Sequence, residues 1–140
     1  MTEKKKINWL IFSIIIFLAF LLRFSDLGRK CFYSDETFTY GVCLGERYDN
    51  TPPSLFYNLS KPFLALPFDI EVNCRILPAL FGLILVIVMF FIAKEFKNDH
   101  FPYMVAGMTA FNPILIQVSQ EFRAYSMVTL LVALNLFAVL

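Results

Sequence analysis

Long runs of apolar residues without a charge are the feature of this sequence that most limits its fold. The first run extends from Ile7 to Leu22 and follows three consecutive lysines. A helix needs about 20 such residues to cross the hydrocarbon core of a bilayer, where every backbone N–H and C=O group must be satisfied within the protein. We therefore expect an all-α membrane protein with about four transmembrane helices, at about residues 7–23, 75–93, 103–118 and 126–140.

The composition agrees with this class. Hydrophobic residues make up 59% of the 140 residues and charged residues 16%, against about 45–50% and about 25% in soluble domains. The net charge of +1 gives no electrostatic footprint for nucleic acid, which excludes that class of partner. The lipid bilayer is the expected surrounding of most of the chain.

The first apolar run is expected to be retained and not removed as a signal peptide. Arg23-Phe24-Ser25-Asp26 follows it directly, without the small-x-small pattern of a cleavage site. The lysines at residues 4–6 place the N-terminus in the cytoplasm. Segments 24–72 and 119–125 then lie outside, and the short hydrophilic segment 94–100 lies inside.

The other basic residues favour the opposite orientation, because more of them lie on the expected outer side than on the inner side. We follow the lysine triplet and expect the outer basic residues to meet anionic ligands. The result is a multi-pass protein of the plasma membrane with its active face outside. The outer basic residues are Arg23, Arg29, Lys30, Arg47, Lys61, Arg75 and Arg123, and the inner ones are Lys4, Lys5, Lys6, Lys94 and Lys97.

Residues 24–72 are expected to form a long first external loop. Glycines and prolines are spread through this segment, so no spanning helix fits there. Within it, Ser54–Leu66 mixes apolar and polar residues in a way that predicts a short amphipathic helix lying in the membrane interface. A helix packed on the protein's own surface is the alternative.

The cysteines and the histidine do not form a recognisable metal site. Cys31, Cys43 and Cys74 lack the C-x-x-C spacing of metal ligands, and His100 stands alone beside Asp99. We predict no cofactor and no metal, since a divalent metal has no support in the sequence. A disulfide between Cys31 and Cys43 stays open, provided that the loop faces an oxidising compartment.

Asp35 and Glu36 form an adjacent carboxylate pair among aromatic residues. Near an apolar surface, one carboxylate of such a pair can have a raised pKa and act as a base while its neighbour binds a ligand. The alternative is that both carboxylates are simply solvated.

Basic residues on the same membrane face suggest a ligand that carries a phosphate. Glu121 and Arg123 lie in a very short turn between two spanning runs, where charges tend to mark function. The planar fork of Arg123 suits a phosphate, although a Glu–Arg pair that caps the hairpin explains the same residues. Arg75 opens the second spanning run and Lys61 lies on the amphipathic segment, where both side chains could merely extend to the interface.

A series of short motifs resembles a known family. The series resembles the N-terminal module of the GT-C glycosyltransferases, in the branch with protein O-mannosyltransferases and bacterial lipid A aminoarabinose transferases. In chain order the motifs are Asp35-Glu36, Thr-Pro-Pro-Ser-Leu-Phe-Tyr (51–57), Lys-Pro-Phe-Leu (61–64), Cys-Arg-Ile-Leu-Pro-Ala-Leu-Phe-Gly (74–82), Phe-Asn-Pro (111–113) and Ser-Gln-Glu-Phe-Arg-Ala-Tyr-Ser (119–126).

The resemblance implies an enzyme that moves a sugar from a polyprenyl-phosphate carrier to an acceptor hydroxyl of a glycan, lipid or protein at the non-cytoplasmic face. It implies that Asp35 is the catalytic base and that Glu36 organises the site. It places the cations Arg75 and Arg123 near the carrier phosphate. It also assigns Lys61 and Glu121 to the same site. Members of this family have more helices and a soluble C-terminal domain, so we expect this chain to be the N-terminal part of a larger enzyme.

Two other classes of function remain to be weighed. A non-catalytic membrane module that binds a lipid phosphate or a partner membrane protein would use the carboxylates only for folding. A small transporter has little support, because no spanning run carries a charge in its middle.

Overall fold

A computed structural model describes residues 3–46, 55–96 and 99–140, and the side chains from residue 7 onward within those ranges. The described part of the chain is entirely helical apart from its turns. Its helices are α1 (Glu3–Phe24), α2 (Ser34–Leu44), α3 (Leu55–Leu64), α4 (Ile70–Lys94), α5 (Phe101–Phe111), α6 (Pro113–Ser119) and α7 (Tyr125–Val139). The all-α expectation is confirmed for these residues.

Two of the described helices are long and apolar enough to cross a membrane, namely Ile7–Phe24 of α1 and all of α4. α4 is the central helix, because α1, α3, α5, α6 and α7 all pack against it. α1 and α4 run in opposite directions, as the ring of Phe12 lies 4.2 Å from that of Phe90 while Gly28 lies beside Val72. The ends that carry Phe24 and Ile70 therefore lie on one side of the bundle.

The third expected span, residues 103–118, is not one continuous helix. It starts earlier, at Phe101, and divides at Asn112 into α5 and α6, which are bent by 58° from each other. Pro113 has no N–H to continue the hydrogen bonds of α5. The Asn112 side chain instead accepts hydrogen bonds from the N–H groups of Ile114 (2.9 Å) and Leu115 (3.2 Å), and so caps α6. The bent pair counts as a third span only if both helices are taken together.

The expected fourth span corresponds to α7, an apolar helix of 15 residues. Four spans are not confirmed: two of the described helices are long and apolar enough to cross a membrane, and the bent pair makes three if it counts as one span.

The expected external loop, residues 24–72, contains more regular structure than its composition indicates. α2 lies in it without having been predicted, and α3 confirms a helix within Ser54–Leu66. α4 begins at Ile70, ahead of the expected residue 75, so that Arg75 lies inside the helix and not at its start. Residues 51–54 of the Thr-Pro-Pro-Ser-Leu-Phe-Tyr motif, residues 97–98 of the inner segment and Arg47 lie outside the described residues.

An apolar cluster joins α2 and α3 to the bundle. Its buried members come from α2, α3, α4, α7 and the turn before α7, and they are Cys43, Phe56, Cys74, Leu77, Phe122 and Met127. Because burying each large side chain stabilises the fold by about 1.5–3 kcal/mol, this cluster holds α2 and α3 firmly on the end of α4.

All three cysteines are free thiols, so Cys31 and Cys43 are not joined. Cys31 is exposed, whereas Cys43 and Cys74 lie in the apolar cluster. Burial raises the pKa of the Cys43 thiol to about 11. A thiol in that state is a poor nucleophile, so Cys43 acts as a small apolar residue of the cluster.

Candidate functional site

The site is built on a buried ion pair between Glu36 and Arg75. Glu36 lies in the first turn of α2, and Arg75 lies in α4, with both side chains only 2% exposed. Nε and Nη2 of Arg75 donate to Oε1 and Oε2 of Glu36 at 2.9 and 2.7 Å. This two-point arrangement fixes the orientation of both side chains and clamps α2 to α4.

Glu36 also accepts two backbone hydrogen bonds. The N–H of Tyr33 donates to Oε2 at 3.1 Å, and the N–H of Phe122 donates to Oε1 at 2.7 Å. Burial by itself would raise the pKa of Glu36, but the hydrogen bonds from Arg75, Phe122 and Tyr33 outweigh it and hold this pKa below its ordinary value. An ionised Glu36 thus connects α2, α4 and the turn that precedes α7.

Arg75 uses all of its donors within the protein. Nη1 donates to the carbonyl oxygens of Leu27 (2.8 Å) and Lys30 (2.7 Å), and Nη2 donates to that of Cys31 at 3.3 Å. The Phe32 ring lies 5.5 Å from the guanidinium. Together with the two bonds to Glu36, these contacts occupy all five N–H groups of an arginine. The geometry therefore assigns Arg75 to shaping the segment before α2, in place of the expected contact with a carrier phosphate.

Asp35 and Arg123 form the exposed part of the site. The Asp35 side chain is 70% exposed and that of Arg123 is 27% exposed, with 3.7 Å between Oδ2 and Nη2. Nη1 of Arg123 also donates to the backbone oxygen of Asp35 at 3.1 Å. Nη2 donates to the hydroxyl of Tyr125 at 3.4 Å, and the guanidinium lies 5.5 Å from the centre of that ring. The site thus places one exposed carboxylate beside a half-buried cation and a phenol.

The surroundings of Arg123 stabilise its protonated, charged form. The hydrogen bond to Tyr125 raises the pKa of Arg123, burial opposes that rise, and the oxygens of Tyr125, Asp35 and Tyr57 add to it. The net result lies above the ordinary value, so Arg123 is a permanent cation. Tyr57, on α3, lies close enough to add to this rise in the pKa of Arg123.

The other two expected ligands lie apart from this pair. Glu121 accepts a hydrogen bond from Nε2 of Gln117 at 3.1 Å, and Lys61 is exposed on α3. Among the residues that the structure describes, neither is bonded to Asp35 or Arg123. The structure therefore brings together four of the six residues expected from the sequence, in two groups with different surroundings.

Two contributions to the site could not be found from the sequence. The N–H of Phe122 is a backbone group, and its bond to Glu36 spans 86 positions along the chain. Tyr125 appeared only as part of a motif, and nothing in the residue order indicated that its hydroxyl faces Arg123. For the ranges 3–46, 55–96 and 99–140, no group of three His, Cys, Asp or Glu residues could hold a metal ion.

No protein-family model matches this chain, and neither does any curated protein or solved structure.

Proposed function

We propose that this chain is a membrane glycosyltransferase of the GT-C type, or its N-terminal part. It would transfer a sugar from a polyprenyl-phosphate donor to an acceptor hydroxyl at the outer face of the plasma membrane. The observation that carries the proposal is the exposed Asp35 carboxylate, 3.7 Å from the Arg123 guanidinium. Both groups lie on a rigid support that the buried Glu36–Arg75 pair provides.

In this proposal Asp35 is the general base. Its exposed oxygens can accept the proton of an acceptor hydroxyl, whose oxygen then forms a bond to the anomeric carbon of the sugar. The bond between that carbon and the phosphate oxygen breaks, and the polyprenyl phosphate leaves with the electron pair. The acceptor attacks from the face opposite the phosphate, so the anomeric configuration is inverted.

Arg123 would stabilise the departing phosphate. Its hydrogen bonds to Asp35 and Tyr125 occupy two of the five donors of a guanidinium, and the side chain is partly exposed. A fixed cation next to the developing phosphate charge lowers the barrier, because it does not need to reorient during the reaction. Tyr125 would hold this cation in place.

The exposed residues of α3 support a position of the site near the membrane surface. Phe56 and Ser60 are buried against the protein, whereas Leu55 and Leu59 are 58% and 42% exposed. Since successive residues of a helix are about 100° apart, these leucines form an apolar stripe of their own. We propose that this stripe lies in the membrane interface and that Asp35 and Arg123 face the headgroup layer, where a carrier phosphate is found.

The alternative function is a non-catalytic membrane module that binds a lipid phosphate or a partner membrane protein. One observation favours it: Glu36 is fully engaged in holding the fold. Glu36 would then have a structural role, as this alternative expects, and only Asp35 of the pair would be available for catalysis.

The test is release of polyprenyl phosphate from a labelled polyprenyl-phosphate sugar, measured with the full chain in lipid nanodiscs and a panel of acceptors. Asp35→Asn should lower turnover by about 10²–10⁴-fold and leave carrier binding unchanged. Asp26→Asn is the matched control, because Asp26 is an exposed carboxylate of the same external segment that pairs only with Arg29 in the described structure.

A second variant addresses the phosphate. Arg123→Lys keeps the charge and loses the planar fork, so it should weaken binding of the carrier by about tenfold without unfolding the protein. Carrier binding by the unmodified chain without any release of phosphate would favour the non-catalytic module. Unchanged turnover in Asp35→Asn would rule out this carboxylate as the base.

A further inference from the structure

Arg23 is a buried cation that the proposed chemistry does not use. It lies in the last turn of α1 and its side chain is 0% exposed. In the described structure its partners are three backbone oxygens: Nη1 donates to Ala19 (3.3 Å) and Ala110 (3.0 Å), and Nη2 donates to Thr109 (3.1 Å). A cation buried this deeply is costly and persists only where its hydrogen bonds are needed.

The break between α5 and α6 explains why these oxygens are available. In a continuous helix, the carbonyl of Thr109 would accept from the N–H of residue 113, but that residue is proline and has none. The carbonyl of Ala110 would accept from Ile114, whose N–H donates to Oδ1 of Asn112 instead. The break therefore leaves two buried carbonyls without a backbone donor, and Arg23 satisfies both.

The same region is packed too tightly to move independently. A Cβ atom on Gly82 would lie 2.6 Å from Cβ of Ser119 and 3.0 Å from Nε of Arg23, so only glycine fits at this point of α4. Nε2 of Gln120 donates to the backbone oxygen of Leu22 at 2.9 Å. The end of α1 thus holds α5 before the break and the end of α6 after it.

We propose that Arg23 is a positioning residue: it fixes the angle of the α5–α6 break and thereby seats the turn Gln120–Ala124 against α2. α6 has only seven residues, so a change in its angle moves the turn directly. That turn supplies the Phe122 N–H to Glu36 and the Arg123 guanidinium to Asp35. The proposal concerns the seating of the turn and stands whether or not the protein transfers a sugar.

Hydrogen exchange of the Phe122 amide measures this seating directly. In Arg23→Gln, the Phe122 amide should exchange about tenfold faster or more, while the amides of α4 keep their protection. Arg29→Gln makes the same chemical change at a side chain that is 82% exposed, and it should leave Phe122 unchanged. Equal exchange in the two variants would overturn the proposal, and so would a loss of protection shared equally by Phe122 and α4.

A second comparison tests the cause. Pro113→Ala restores an N–H that can donate to Thr109, so Arg23→Gln should speed Phe122 exchange less in that background than in the natural chain. An equal effect in both backgrounds would overturn the link between Arg23 and the break. If Arg23→Gln does not fold, Arg23→Lys replaces it in both comparisons with the same readings, since an ammonium keeps the charge but cannot match the fork that reaches two carbonyls.

Discussion

Asp35 and Glu36 are neighbours in the chain, yet one is 70% exposed and the other 2% exposed. The reason is geometric, because successive residues of α2 point about 100° apart. Glu36 turns toward α4 and meets Arg75, while Asp35 turns toward solvent and Arg123. The residue order identified both carboxylates, but only the position of Arg75, 39 residues away, decides which of them is structural.

Removing one partner of the buried pair should be strongly destabilising. Glu36→Gln and Arg75→Gln should each lower the free energy of unfolding by about 3–5 kcal/mol, because an uncompensated charge or an unsatisfied group is left behind. Unfolding in detergent micelles measures the effect. The exposed pair Asp26–Arg29 is the control, and its single variants should change stability by about 1 kcal/mol or less.

The lowered pKa of Glu36 predicts an acid-sensitive fold. A carboxylate whose pKa is lower in the folded than in the unfolded state stabilises the fold when the pH is above its pKa in the unfolded state. That unfolded-state pKa is about 4.3 for glutamate. That stability should be lost as the pH falls below this value and through the lower folded pKa. Melting temperatures between pH 3 and 7 test this, and Glu36→Gln should lose part of the acid-induced decrease. An identical decrease in that variant would assign it to other groups.

At the scale of the helices, α1 and α4 were predictable because a long uncharged run has few structures open to it in a membrane. α2 was not, because its short sequence has no strong apolar periodicity and its buried face is completed by an ion pair. The break at Asn112 had a visible signal in Asn-Pro. The contact of Arg23 with the carbonyls before this break had no such signal, because Arg23 lies 86 and 87 positions away in the chain.

The proposed interfacial position of α3 can be measured with tryptophan. Trp9 is the only tryptophan, so Trp9→Phe gives a silent background. In lipid containing brominated acyl chains, a tryptophan introduced by Leu59→Trp should be quenched more strongly than one introduced by Asn58→Trp, because the two neighbours point about 100° apart. Equal quenching at both positions would place this face of α3 away from the bilayer.

At the scale of the whole molecule, the ion pair and the exposed Asp35–Arg123 pair lie near the start of α4, at the opposite end from Lys94. Lys94 lies 5.5 Å from the ring of Phe91, as expected for a cation extending along an apolar helix end. The prediction that the segment around Glu36 and the Glu-Arg turn share one side is confirmed, because the N–H of Phe122 donates to Glu36.

The orientation of this face is a separate prediction. In a background without Cys31, Cys43 and Cys74, Lys30→Cys should react with an impermeant maleimide on intact cells, and Phe96→Cys should react only after the membrane is opened. Both positions are exposed, so reactivity depends on the side of the membrane. Labelling of residue 96 alone on intact cells would reverse the orientation and follow the positive-inside rule.

The bond between Glu36 and the Phe122 amide has a consequence for the order of events at the ribosome. Glu36 is synthesised 86 residues before Phe122, whose N–H is the last of its hydrogen-bond donors to be made. Because chains fold from the N-terminus as they emerge, the hydrogen bonding of Glu36 stays incomplete until residue 122 has been made. Nascent chains arrested before residue 122 would therefore present α2 without the hydrogen bond that joins it to the turn before α7.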